Sequence, residues 1–156
     1  LILPGVGAFD WAMSRLNDSG MREVLDDLVL NQKISVLGVC VGMQMMARRS
    51  AEGTIPGLGW IDAEVVRFLP EQVSNSPLPH MGWNDLILAE PGHAVLDGLD
   101  SGTHAYFVHG YHLRCTKASE VIATVEYGEA LTAIVGRDNM IGTQFHPEKS
   151  QQAGLR

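Results

Sequence analysis

The chain has 156 residues, of which 46% are hydrophobic and 19% charged, with a net charge of −7. That balance excludes a disordered chain and predicts one globular domain with a proper core. The acidic excess and the scattered basic residues, Arg48-Arg49 being the one adjacent pair, argue against a nucleic-acid or anionic-membrane surface.

Two cysteines, Cys40 and Cys115, do not make a disulfide framework. No apolar run approaches the ~20 residues of a membrane span, and no signal-peptide pattern is present. A reduced, cytoplasmic setting is therefore expected. The chain opens in mid-pattern, since Leu1-Ile2-Leu3 has no Met and no polar lead-in and reads as the tail of a buried strand. The closing "SQQAGLR" reads as the start of a helix. A preceding strand and helix are expected to be missing, and the sheet would then expose an edge.

In chain order, Leu1–Leu3 predicts a strand and Pro4–Gly7 the loop after it. Phe9–Leu16 and Met21–Leu30 have helical spacing of apolar residues. Ile34–Val39 is a continuous apolar run, as expected for a parallel strand covered on both faces. Val41–Arg49 reads as a helix and Gly53–Gly59 as a loop. Trp60–Leu69 alternates like a strand, whereas "PLPHMGWN" (Pro77–Asn84) reads as a turn-rich loop. Asp85–Leu88, Ala105–Val108 and Val121–Tyr127 predict short strands. Leu131–Val135 and Met140–Phe145 predict a hairpin around Gly136–Asn139. Strand–helix units followed by strands suggest an α/β fold: an open, mostly parallel sheet with flanking helices and a smaller antiparallel sheet.

In open α/β sheets chemistry gathers at the carboxyl ends of strands, and three ends stand out. The first is Gly38-Val39-Cys40-Val41-Gly42, a Gly-x-nucleophile-x-Gly pattern that suits a sharp strand-to-helix elbow. Cys40 would then start a helix whose dipole and free N–H groups favour a thiolate. A buried cysteine between two packing glycines fits the same pattern. The second is His146-Pro147-Glu148. Proline keeps His146 extended, and residues i and i+2 of an extended stretch share a side, so the carboxylate can orient the imidazole. A polar turn after an edge strand fits as well. The third is Pro4-Gly5-Val6-Gly7, whose N–H groups could form an oxyanion hole with that of Val41, or simply make a tight turn.

Together, in this order, these pieces resemble the class I glutamine amidotransferases. "GVCVG", "CVGMQ" and "FHPE" carry the resemblance. Within that class the chain is similar to the glutaminase subunits of imidazole glycerol phosphate synthases, through "PGVGAF", "GMQ", "PHMGWN", "YFVHGY" and "GTQFHPEKS". The resemblance implies a flavodoxin-like class I amidotransferase fold in one domain over 1–156. It implies a Cys40–His146–Glu148 triad that hydrolyses L-glutamine, with no cofactor and no metal. It also implies an oxyanion hole from Gly5, Val6, Gly7 and Val41, and substrate contacts from Gln44, His109, Gly110 and Tyr111. A (β/α)₈-barrel cyclase subunit is the implied heterodimer partner. It would meet Trp83, Asn84 and Lys149, receive the ammonia, and form imidazole glycerol phosphate and aminoimidazole carboxamide ribotide in histidine biosynthesis. The Pro4–Gly7 loop would be the gate.

Two positions depart from the family pattern: Gly110 stands where Ser is usual, and His112 where an aromatic is usual. The other readings are an amidotransferase or γ-glutamyl hydrolase serving another pathway, and a non-catalytic interaction subunit. His104, His109 and His112 read as polar loop residues, His80 and His93 have no evident partners, and Cys115 is a bystander. Met43, Met45 and Met46 read as core filler.

Overall fold

The computed structural model describes residues 1–69, 71, 73 and 76–155. Its strands are β1 (Ile2–Gly5), β2 (Val36–Cys40), β3 (Arg49–Ser50), β4 (Ala63–Arg67), β5 (His80–Leu88), β6 (His104–His109), β7 (Tyr111–Cys115), β8 (Val121–Glu126), β9 (Ala130–Arg137) and β10 (Met140–Thr143). The α-helices are α1 (Phe9–Asp18), α2 (Arg22–Asp26) and α3 (Val41–Met45).

Seven strands form one sheet in the order β1-β2-β10-β9-β8-β5-β6, and β3-β4-β7 form a second, smaller one. The architecture is the α/β fold expected from the order of elements. β1, β2 and β10 run parallel, and from β10 to β6 every neighbouring pair in the large sheet is antiparallel. β2 runs parallel between β1 and β10, second from the edge of the sheet, with residues alternately buried and half-buried, and Ile34 of its apolar run lies outside it and is exposed. β1 is outermost, with Leu1 and Ile2 exposed.

Two apolar clusters support the sheet. One packs α1 through Phe9 and Met13, α3 through Met43 and Met45, and the small sheet through Val65 and Leu113. Met43, Met45 and Met46 are all buried there, the filler role their sequence suggested. The other lies under the antiparallel half and contains Phe68, Phe107, Ile122 and Phe145. Among the described residues no helix is long and apolar enough to cross a membrane.

Several elements differ from their sequence reading. The expected helix Val41–Arg49 stops at Met45, because loop N–H groups cap its carbonyls: Leu58 N bonds Met45 O at 2.7 Å and Ile61 N bonds Met46 O at 3.0 Å. Met21–Leu30 divides into α2 and a wider π-helical turn at Asp27–Asn31. The expected loop Pro77–Asn84 is strand from His80 onward, paired with β6 despite Gly82 at φ 132°. Tyr111–Cys115, to which the sequence assigned no element, is β7. Gln151–Leu155 forms a 3₁₀ turn.

Candidate active site

The elbow begins at the end of β2. Cys40 has φ 53° and ψ −111°, a strained conformation for a residue with a side chain. It is held there by close packing on both sides. A Cβ on Gly42 would lie 1.8 Å from the Leu3 carbonyl oxygen, and one on Gly38 would lie 2.6 Å from Met46 Sδ. Only glycine lets α3 sit this close to β1 and β2. β1 in turn places Gly5 opposite Cys40 in register.

His146 is fixed by polar contacts. Its N–H bonds the Tyr106 carbonyl on β6 at 3.0 Å. The Ser150 hydroxyl donates to the His146 carbonyl at 2.7 Å and accepts from the Tyr106 N–H at 3.0 Å. Pro147 starts a short 3₁₀ turn that carries Glu148. Glu148 Oε1 lies 2.8 Å from His146 Nδ1, so Nδ1 carries the hydrogen of that bond.

Cys40 and His146 line one cavity of about 330 Å³, together with Val6, Gly7, Val41, Gln44, His109, Gly110 and Tyr111. Every candidate oxyanion and substrate residue is therefore at its wall except Gly5, which sits behind it against Val41 and Gly42.

The electrostatics correct one expectation. Burial pushes the Cys40 thiol above its ordinary range. The Val41 N–H and the Gln144 amide act in the opposite direction, Glu148 adds to the rise, and Lys149 reduces it. Helix α3 is only five residues long, which limits the dipole that was expected to favour the thiolate. Burial also opposes the Glu148 carboxylate. The bond to His146, its own N–H and the charges of His146 and Lys149 nevertheless hold it below its ordinary value.

Three contributions escaped the sequence reading. Glu52 lines the cavity and accepts the Phe9 N–H at 2.8 Å. Gln144, fully buried, sits between Gln44 and Cys40. His80, read as having no partner, bonds His109 at 2.9 Å. His104, His109 and His112 all lie on strands and not in loops: His109 and His112 are buried, and His104, at the start of β6, is exposed and paired with Asp85. His109 uses both ring nitrogens within the protein, on His80 and on the Tyr111 carbonyl.

Away from the cavity, Trp83 is half exposed on β5 and meets Tyr106 edge-on at 5.8 Å. Lys149 Nζ lies 5.8 Å over the same Tyr106 ring. Asn84 is tied inward, to the Glu126 carbonyl and His80. Among the described residues, no group of three His, Cys, Asp or Glu side chains could hold a metal ion.

The chain matches the family described as glutamine amidotransferase class-I over residues 1–154. It is 49% identical over 158 residues to the imidazole glycerol phosphate synthase subunit HisH of Cereibacter sphaeroides, spanning 100% of this chain and 74% of that one. It is 48% identical to subunit HisH of Leptospira interrogans, spanning 99% and 76%. A solved glutamine amidotransferase shares the fold at TM-score 0.73 and 23% identity, over 99% of this chain and 74% of that one. An elbow cysteine and a carboxylate-paired histidine on one cavity thus sit in a chain that belongs to the class I glutamine amidotransferase family and, within it, to the HisH subunits of imidazole glycerol phosphate synthase.

Proposed function

We propose that this chain hydrolyses L-glutamine through Cys40, His146 and Glu148, and passes the ammonia to a (β/α)₈-barrel cyclase subunit. The observation that carries the reading is the opening of the strained Cys40 elbow and of His146, held by Glu148 on its far nitrogen, onto one cavity.

In this reading His146 Nε2 takes the proton of the Cys40 thiol, and the thiolate so formed attacks the side-chain amide carbon of glutamine, breaking its C–N bond. The Val41 N–H and N–H groups of the Gly5–Gly7 segment stabilise the oxyanion. His146 gives its proton to the departing ammonia, then takes one from the water that cleaves the thioester and releases glutamate. Glu148 holds the imidazole with Nδ1 protonated. Both hydrogens of the Gln44 amide are engaged, by the Tyr111 carbonyl and by Gln144. Gln44 therefore offers its oxygen to the substrate, and with Glu52 it gives the cavity an acceptor end for the α-ammonium.

Trp83, Asn84 and Lys149, with Tyr106 between the first and the last, form the proposed partner face. A half-exposed Trp flanked by Tyr and Lys is a favourable anchor. The glycines of the Pro4–Gly7 segment, with Gly7 at φ 90°, permit a peptide rotation that would complete the oxyanion hole when the partner binds.

The test is ammonia release from glutamine with and without the barrel subunit and its ligand. Cys40→Ala should abolish it, and full turnover without a partner would remove the gating idea. Trp83→Ala should weaken the complex, and an unchanged affinity would remove the proposed anchor.

A further inference from the structure

One backbone carbonyl sets the direction of a buried hydrogen-bond chain that ends at the nucleophile. The Tyr111 carbonyl oxygen can only accept. It faces His109 Nδ1 at 2.8 Å and Gln44 Nε2 at 3.1 Å. His109 must therefore be protonated at Nδ1, and Gln44 must present its NH₂ group.

Each consequence propagates. Burial pushes His109 down to about 3, so its Nε2 is a bare acceptor at neutral pH. His80 Nδ1, 2.9 Å away, must supply the hydrogen. His80, pushed down by burial to about 4, then turns a lone pair at Nε2 to the Asn84 amide at 3.4 Å. In the other direction, the Gln44 NH₂ meets Gln144 Oε1 at 3.1 Å. That leaves the Gln144 NH₂ facing Cys40 Sγ at 3.8 Å. Reversing the Gln144 amide would set NH₂ against NH₂ at one end and oxygen against sulfur at the other. His80, Gln44 and Gln144 are all nearly inaccessible to solvent, so water cannot relieve such a mismatch.

We propose that Gln144 is a positioning residue for Cys40, its amide locked by the chain anchored at Tyr111 so that an N–H, and not the oxygen, faces the sulfur. This rests on Cys40 being the nucleophile. An N–H donor stabilises a thiolate more than a thiol, and here it joins the Val41 N–H and Lys149 against burial and Glu148, with His146 at the same cavity.

The test follows the pH dependence of Cys40 alkylation by iodoacetamide, located by peptide mass spectrometry so that Cys115 is counted separately. Gln144→Met keeps the length and removes the donor. It should raise the alkylation midpoint by about one pH unit, and an unmoved midpoint overturns the proposal. Gln44→Met, which removes the donor that fixes the Gln144 oxygen, should raise the midpoint by less, and an unmoved midpoint in that variant overturns the anchored chain. In the unsubstituted chain the Gln144 side-chain amide proton resonance should titrate together with Cys40, and a flat resonance overturns the proposal whether or not the variants fold. Glutamine turnover by Cys40→Ala would sink the nucleophile reading. An unmoved midpoint in a chain whose turnover requires Cys40 sinks this proposal alone.

Discussion

The two walls of the cavity are built by different physics. Cys40 is held by steric exclusion: a positive φ, glycines at 38 and 42, and the Leu3 carbonyl pressed against α3. His146 is held by polar contacts: Glu148 on the ring, and Tyr106 and Ser150 on the backbone. Steric positioning is unforgiving of added atoms but indifferent to pH. Polar positioning tolerates change in size, and it weakens in steps as individual contacts are lost.

The comparison is broken most severely at Gly42. A Cβ there would meet backbone atoms of Leu3, at 1.8 and 2.8 Å, that no rotamer change can move away. Gly42→Ala should cost about 3 kcal/mol by forced backbone displacement, read as a fall in the urea midpoint, with glutamine turnover lost. An alanine variant of ordinary stability would show that the elbow is not sterically set. Glu148→Gln probes the other wall. The side chain is mostly exposed, so stability should hold. Turnover should fall by about 100-fold, because neutral Gln orients the imidazole but does not stabilise the imidazolium. An equal loss of stability would mean that Glu148 serves the fold.

The elbow was legible in the sequence because its parts are contiguous. Gly38, Cys40 and Gly42 sit within five residues, and their spacing reports the crowding that forces it. His146-Pro147-Glu148 was legible for the same reason. The network behind them was not. Gln44 reaches Gln144 across 100 residues and Tyr111 across 67, and His80 reaches His109 across 29. Nothing local distinguishes a glutamine that will be buried from one that will not. Pro77–Asn84 misled in the opposite sense, since its Pro and Gly content signals a loop while pairing with β6 pulls His80 onward into a strand. Likewise α3 is cut short by carbonyl partners from the Gly57–Ile61 loop, which no propensity encodes. Family membership was readable because it depends on the contiguous motifs alone.

The buried histidines sharpen the polar side of the comparison. Burial holds His80 and His112 down at about 4 and His109 at about 3, against an ordinary value of 6.5. For His112 the Arg114 charge adds to burial, while its Nε2 has no hydrogen-bond partner among the described residues and lies 3.9 Å from Glu129 Oε1. All three are neutral in the fold, and all three take up a proton on unfolding once the pH is below about 6.5. Their contribution to stability is therefore fully present above about 6.5 and is lost as the pH drops from there towards 4 and 3, adding up to three protons to the slope. Chemical denaturation across that range measures it. Replacing His112 with Phe, the kind of side chain usual in the family, should remove about one proton from the slope. An unchanged slope would mean that His112 is not titrating with the fold.

The smallest expected effect concerns Gly110, where both kinds of wall are absent. It lines the cavity beside Tyr111, its φ is not in the left-handed region, and a Cβ built on it meets no atom of the described residues within 4 Å. Glycine here is thus required by neither backbone conformation nor crowding, unlike Gly42. Serine at this position should fold with a stability within about 0.5 kcal/mol of the parent. It should also place a hydroxyl on the cavity wall, where a donor and acceptor can meet the polar groups of glutamine. The expected result is a KM for glutamine lowered a few-fold with kcat little changed, because the added contact serves binding and not the reacting amide. If Gly110→Ser instead lowers kcat at constant KM, this wall takes part in orienting the scissile bond, and the division between a reacting side and a holding side of the cavity has to be redrawn.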